Sequence, residues 1–149
     1  MEIFVGTVLI DENERIFLIK ENDKNKIGLD RWNLPGGSVD GKESLIEAAC
    51  RETKEETGYE TQVTSLLGCY KCAKKDKLWV YIVFGAAPIK KMGRATDLEV
   101  KKGKWFTKQE FMHLDVSQLV HPDMQLVYKI AISGRGCPVD SVKSIDYSS

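Results

Sequence analysis

The chain reads as α+β, an α/β/α sandwich with a mixed β-sheet between helices. Three observations predict this. Apolar, β-type runs stand on both sides of a central acidic segment that carries helix signals. The first of these runs is apolar on both faces, as in a strand covered from two sides. The order of segments, β-β-loop-α-β-β-β-α-α, then leaves helices to cover both faces of one sheet. At 149 residues the chain is long enough to bury a core as one domain over 1–149.

Ile3 to Ile10 alternates, with Val5, Thr7 and Leu9 on one side and Phe4, Val8 and Ile10 on the other. Asp11-Glu12-Asn13-Glu14 is a polar turn and Arg15–Lys20 a second strand, so the pair reads as a hairpin. Glu21–Arg31 is loop-like, with Asp23, Lys24 and Lys26 expected in solvent, and leads into Trp32-Asn33-Leu34 and Pro35-Gly36-Gly37. Trp32 has two readings, a core or rim aromatic or a wall of a substrate cleft.

Ser44-Leu45-Ile46-Glu47 has the form of a capping box. Leu45 to Thr57 contains neither proline nor glycine, and Gly58 stands where a left-handed helix stop is expected. Thr61–Ala73 has strand character with Gly68 as a candidate bulge, Lys74–Lys77 is a turn, and Leu78–Ala87 is the most apolar strand, expected at the centre of the sheet. Pro88 to Val100 reads as a long connection holding Asp97 and Glu99, and Lys101–Thr107 as a final strand. Thr107-Lys108-Gln109-Glu110 is a second capping box, opening a short helix to about Leu114. His121-Pro122-Asp123 starts a last helix that Gly134 ends, and the tail 137–149 packs as an extension or frays.

The central helix carries an anomaly. Glu52, Glu55 and Glu56 are spaced i, i+3, i+4, which puts three like charges on one face, in the half where the helix dipole disfavours them. Arg51 is expected to project off that stripe. A hard divalent cation would relieve the repulsion, since Mg2+ takes oxygen ligands from a few carboxylates. The stretch also fits a known pattern, G-x5-E-x7-R-E-U-x-E-E-x-G-U with U a bulky aliphatic residue. Here it reads Gly37, Glu43, Arg51, Glu52, Thr53, Glu55, Glu56, Gly58, Tyr59. In this the chain resembles the Nudix hydrolases (MutT-like). Every charged residue and both glycines are in register, and the departures are Thr53 and Tyr59 at the two U positions.

The resemblance implies the Nudix fold and the hydrolysis of nucleoside diphosphate-linked compounds, with Mg2+ as cofactor and Mn2+ as a substitute. It implies Glu52, Glu55, Glu56 and the backbone carbonyl of Gly37 as metal ligands. Arg51 would pair with Glu43 and support the site. The general base would be Glu52, or an acid of a distal loop, Glu99 or Asp97. Trp32, Gly36 and Gly37 are the candidate substrate contacts. His113 and His121 read as surface or capping residues. The lysines of Lys74–Lys77, with Lys90, Lys91 and Arg94, could steer a polyphosphate.

Composition bounds the rest. Lys+Arg 22 against Asp+Glu 22 argues against a nucleic-acid-coating protein. No apolar run reaches the length of a membrane span, and the start lacks a secretory signal pattern. Cys69 and Cys72 form a lone C-x-x-C without partners for zinc, so the four thiols are expected reduced and the protein cytoplasmic. The short layout favours nucleoside triphosphates or nucleotide sugars as substrate. An ADP-ribose pyrophosphatase, an RNA 5′-end pyrophosphohydrolase and a non-catalytic nucleotide-binding module stand as alternatives, and a homodimer is compatible with the apolar first strand.

Overall fold

A computed structural model describes residues 1–21, 30–96 and 100–147, with the side chains of Glu21 and Lys101 left aside. Most of the loop expected over Glu21–Arg31, and the acids Asp97 and Glu99, lie outside the described residues. The elements are β1 (Glu2–Leu9), β2 (Ile16–Glu21), β3 (Trp32–Asn33), β4 (Gly36–Ser38), α1 (Leu45–Thr57), β5 (Tyr59–Lys74), β6 (Lys77–Lys91), β7 (Val100–Phe106), α2 (Lys108–Met112), α3 (Met124–Ile132) and β8 (Cys137–Pro138).

The strands divide between two sheets. One is mixed, in the order β4-β1-β6-β5-β8, with β1 parallel to β6 and the other pairs antiparallel. The other is antiparallel, in the order β3-β2-β7. The expected β1–β2 hairpin is therefore corrected: among the described residues the pair shares a single bridge, Ile10 with Ile16. Both edges of β1 are taken by β4 and β6, and both edges of β2 by β3 and β7, so neither strand has an edge left for the other.

Alternation along β1 works as the sequence implies. Val5 packs with Ala48 and Ala49 of α1 and with Val63 and Phe84, while Val8 packs on the opposite side with Leu67, Val83 and the α3 residues Met124, Val127 and Tyr128. Helices thus cover both faces of the mixed sheet, which is the α/β/α arrangement. β6 lies at its centre. This strand is longer than expected and runs to Lys91, so the following connection begins later; Pro88, lacking an amide proton, sits opposite Thr61 where the β5–β6 register shifts. Two further shifts follow, between Val63 and Ser65 and between Leu66 and Gly68, and the latter is the expected bulge. The four cysteines are unbridged. Among the described residues no helix is long and apolar enough to cross a membrane.

α1 starts and stops for local reasons. Ser44 Oγ accepts from the Glu47 amide at 3.1 Å, and Gly58 takes the left-handed conformation at φ 78° while its amide donates to Lys54 O at 2.8 Å. Lys91 Nζ then donates to Thr57 O at 2.7 Å, placing a cation at the negative end of the helix. Its neighbours Met92 and Thr96 donate backbone bonds to Gly58 O and Glu55 O, which ties the segment after β6 to the acidic helix. The tail is partly fixed: β8 pairs with β5, Val139 and Val142 pack against the α1 core, and Ile145 and Tyr147 are exposed.

Candidate active site

Thr53 and Tyr59 stand where the box pattern has bulky aliphatics, and each finds a partner. Thr53 is fully buried and its hydroxyl donates to Thr7 Oγ1 of β1 at 2.9 Å. Tyr59 packs edge-on against Phe17 and Trp105 and accepts a hydrogen bond from Trp105 Nε1 at 3.1 Å. The helix is thereby seated on the mixed sheet through Thr53 and, just past its end, tied to the second sheet through Tyr59. Its acidic face is presented to β4 at Gly36 and Gly37.

Glu56 is 2% exposed and accepts from the Gly36 amide at 2.5 Å. Glu52 lies against Gly37: a Cβ on that glycine would stand 2.5 Å from Glu52 Cδ and 2.6 Å from both carboxylate oxygens. Only glycine allows that approach. Arg51 does more than the sequence suggests. Its Nε and Nη2 donate to the two oxygens of Glu43 at 2.9 and 2.6 Å, Nη2 also donates to Ser38 O at 3.1 Å, and Nη1 reaches Glu52 at 3.0 Å and Glu55 at 3.4 Å. The expectation that Arg51 points away from the glutamates is thus corrected. Its long side chain spans both the i+1 and i+4 positions, so the guanidinium supplies positive charge to the stripe. Hydrogen bonding from Arg51 holds the Glu43 carboxyl below the usual range, and Glu43 in turn raises the guanidinium. Glu43 also accepts from the Asp40 amide at 2.9 Å, so loop and helix are joined through one carboxylate.

The residues that could hold a hard divalent cation are the carboxylates of Glu52, Glu55 and Glu56 and the Gly37 backbone, oxygen donors of the kind such an ion takes. In this arrangement the carboxylates do not converge on one point, and no ready three-carboxylate cluster exists among the described residues. Glu56 is turned to Gly36, and Glu52 and Glu55 to Arg51. Glu55, with a side chain 42% exposed, has room to turn from Arg51 toward a cation.

The same glycines border a cavity of about 600 Å³, which runs from Gly36 and Gly37 past Asn33 and Leu34 to Phe4, Trp79, Tyr81 and His121. Its size suits a nucleotide-sized ligand. The Tyr81 hydroxyl rests on Gly6, where any Cβ would overlap it.

A family model for the NUDIX domain matches residues 3–125, a span that contains all of these residues. The chain belongs to the Nudix family. Among solved structures, a NUDIX hydrolase from Nitrosomonas europaea has the same fold, with a TM-score of 0.82 at 23% identity over 99% of each chain. Among curated relatives, the human 8-oxo-dGDP phosphatase NUDT18 is 31% identical over 70% of this chain and 32% of its own length. The ADP-ribose pyrophosphatase of Methanocaldococcus jannaschii is 43% identical over 46% of this chain and 39% of its own. The chain thus spans less than half the length of either relative.

Within this Nudix site the remaining candidates separate. Trp32 is 7% exposed, packs edge-on against Phe106 at 4.7 Å and lies under Lys20 Nζ, so it is a core and rim aromatic; the cavity wall beside it is made by Asn33 and Leu34. Glu99 lies outside the described residues. His113 is exposed, with Nδ1 2.7 Å from Gln109 O. His121, read from sequence as a surface or capping residue, lines the cavity, although its Nδ1 also accepts from the Asp123 amide at 3.1 Å. Tyr81 and Asn33 are two more cavity residues that sequence reasoning did not single out; alternation along β6 puts Tyr81 on the α3 face with Val83, the one signal that could have found it.

Proposed function

We propose that this Nudix protein is a divalent-metal-dependent pyrophosphohydrolase of nucleoside diphosphate-linked substrates, acting on nucleoside triphosphates or nucleotide sugars. The observation that carries this reading is the junction at Gly36–Gly37: the Glu52 and Glu56 carboxylates lie against the two glycines that border the cavity. Glu52, Glu55, Glu56 and the Gly37 backbone would hold the cation, Mg2+ or Mn2+ in its place. When bound it supplies charge neutralisation for the diphosphate and a lower pKa for an attacking water.

The chain's own residues do the positioning. Arg51 and Glu43 fix the loop against α1, and Gly36 orients Glu56 through its amide. Glu52, held against Gly37, is the helix candidate for taking the proton from water, with Glu99, outside the described residues, the other candidate. The human relative is an 8-oxo-dGDP phosphatase and the Methanocaldococcus relative an ADP-ribose pyrophosphatase, and both names specify nucleotides with a diphosphate, which supports the reaction class.

The test is a panel of canonical and oxidised nucleoside triphosphates, nucleotide sugars, dinucleoside polyphosphates, ADP-ribose, NADH and 5′-triphosphorylated RNA, with Mg2+ and resolved products. Cleavage confined to triphosphates or nucleotide sugars is expected. Preferred cleavage of ADP-ribose or RNA would replace the substrate class, and binding without turnover of any compound would overturn the enzymatic reading.

A further inference from the structure

His121 is fixed from three sides. Its ring meets Tyr70 edge-on at 4.7 Å and lies tilted by 35° on Tyr81 at 5.7 Å, so β5 and β6 set its plane. From its own segment, the Asp123 amide donates to Nδ1 at 3.1 Å. A ring nitrogen that accepts carries no proton, so the neutral imidazole must carry its hydrogen on Nε2.

The surroundings favour that neutral form. Burial pushes the His121 pKa down, against the opposing pull of the Asp123 carboxylate. Glu2 and Lys77 add one charge of each sign to the cavity lining, and the other titratable groups are Tyr70 and Tyr81, whose hydroxyl pKa values burial raises, and the Cys72 thiol, raised for the same reason. These last three are uncharged near neutral pH. His121 therefore brings one committed donor to a cavity whose nearby walls, Phe4, Trp79 and Tyr81, are flat and aromatic.

We propose that His121 is a specificity-determining residue, donating Nε2–H to a ring carbonyl or unprotonated ring nitrogen of a planar nucleobase lodged in the cavity. The inference rests on the nucleotide reading above and adds the group that selects among bases. Aromatic walls suit a planar ring.

The experiment is calorimetric binding of AMP, GMP, CMP, UMP and ribose 5-phosphate to the wild type, His121→Phe and His121→Gln. Phenylalanine keeps a ring against Tyr70 and Tyr81 without the donor, while glutamine restores a donor. At least one nucleotide should bind the wild type more tightly than ribose 5-phosphate. That nucleotide should weaken roughly tenfold in His121→Phe and recover in part in His121→Gln, as expected for one hydrogen bond. Ribose 5-phosphate should be unaffected. Steady-state kinetics on the matching substrate should show the change in KM, with kcat held within about twofold.

A measurement without mutation accompanies it. Long-range 1H–15N spectra of the wild type should show His121 protonated on Nε2, with that resonance moving when the preferred nucleotide is added. An Nδ1–H tautomer would overturn the proposal, as would nucleotide affinities indifferent to His121→Phe or an equal loss for ribose 5-phosphate. If the panel shows turnover while affinities ignore His121, the hydrolase reading stands and this inference alone fails. If nothing binds and nothing is cleaved, both fail.

Discussion

Arg51 grips Glu43 with two nitrogens, at 2.6 and 2.9 Å, and through this contact the loop after β4 is fastened to the acidic face of α1. Because the bond lowers the Glu43 pKa from 4.5, the folded state holds this carboxylate ionised more readily than the unfolded chain does. The stabilisation is fully present above about pH 4.5 and is lost as pH falls through the lower folded value. Acid melting of the wild type and Glu43→Gln should converge in that window and diverge above it. Parallel curves throughout would contradict the pairing.

His121 gives a second pH signal, higher on the scale. Its folded pKa lies below 6.5, so the unfolded chain takes up a proton first and stability falls as pH drops from 6.5 toward the folded value. Thermal melts across that interval should show the fall in the wild type and a flatter profile in His121→Gln.

The closeness of Gly37 and Glu52 predicts a lesion without a charge change. In Gly37→Ala the new methyl must displace the Glu52 carboxylate, so hydrolysis should fall on the order of a hundredfold. The melting temperature should change little, because the displaced group lies at the site and not in the core. Full activity in Gly37→Ala would mean that Glu52 works from elsewhere.

Much of this was legible in the sequence because it is local. Ser44, Gly58, Thr107 and Glu110 mark their helix ends with residues a few positions apart, and the structure makes those bonds. Likewise Glu52, Glu55 and Glu56 share a face by helical periodicity alone. What was not legible depends on distant partners. β1 and β2 look like a hairpin until β4, β6, β3 and β7 claim their edges. Arg51 looked remote because periodicity describes Cβ directions, and a guanidinium reaches well beyond its Cβ. His121 entered the cavity because Tyr70 and Tyr81, on strands far away in sequence, close around it.

The buried pair Thr53–Thr7 shows how the helix tolerates a hydroxyl at a packing position. Thr53→Val removes one partner of the 2.9 Å bond and leaves the fully buried Thr7 hydroxyl short of it, costing about 1–3 kcal/mol. Adding Thr7→Val should return most of that loss. Chemical denaturation of the two single variants and the double variant closes the cycle, and strictly additive losses would contradict the coupling.

The central claim is that the carboxylates gathered at Gly36–Gly37 perform the reaction, and Glu56→Gln tests it most directly. Glutamine keeps an oxygen to accept the Gly36 amide, so the fold should survive while the charge is removed. With Mg2+ and whichever substrate the panel identifies, kcat should fall roughly a hundredfold or more, with an unchanged circular dichroism spectrum. Turnover equal to the wild type in a folded Glu56→Gln protein would contradict the account.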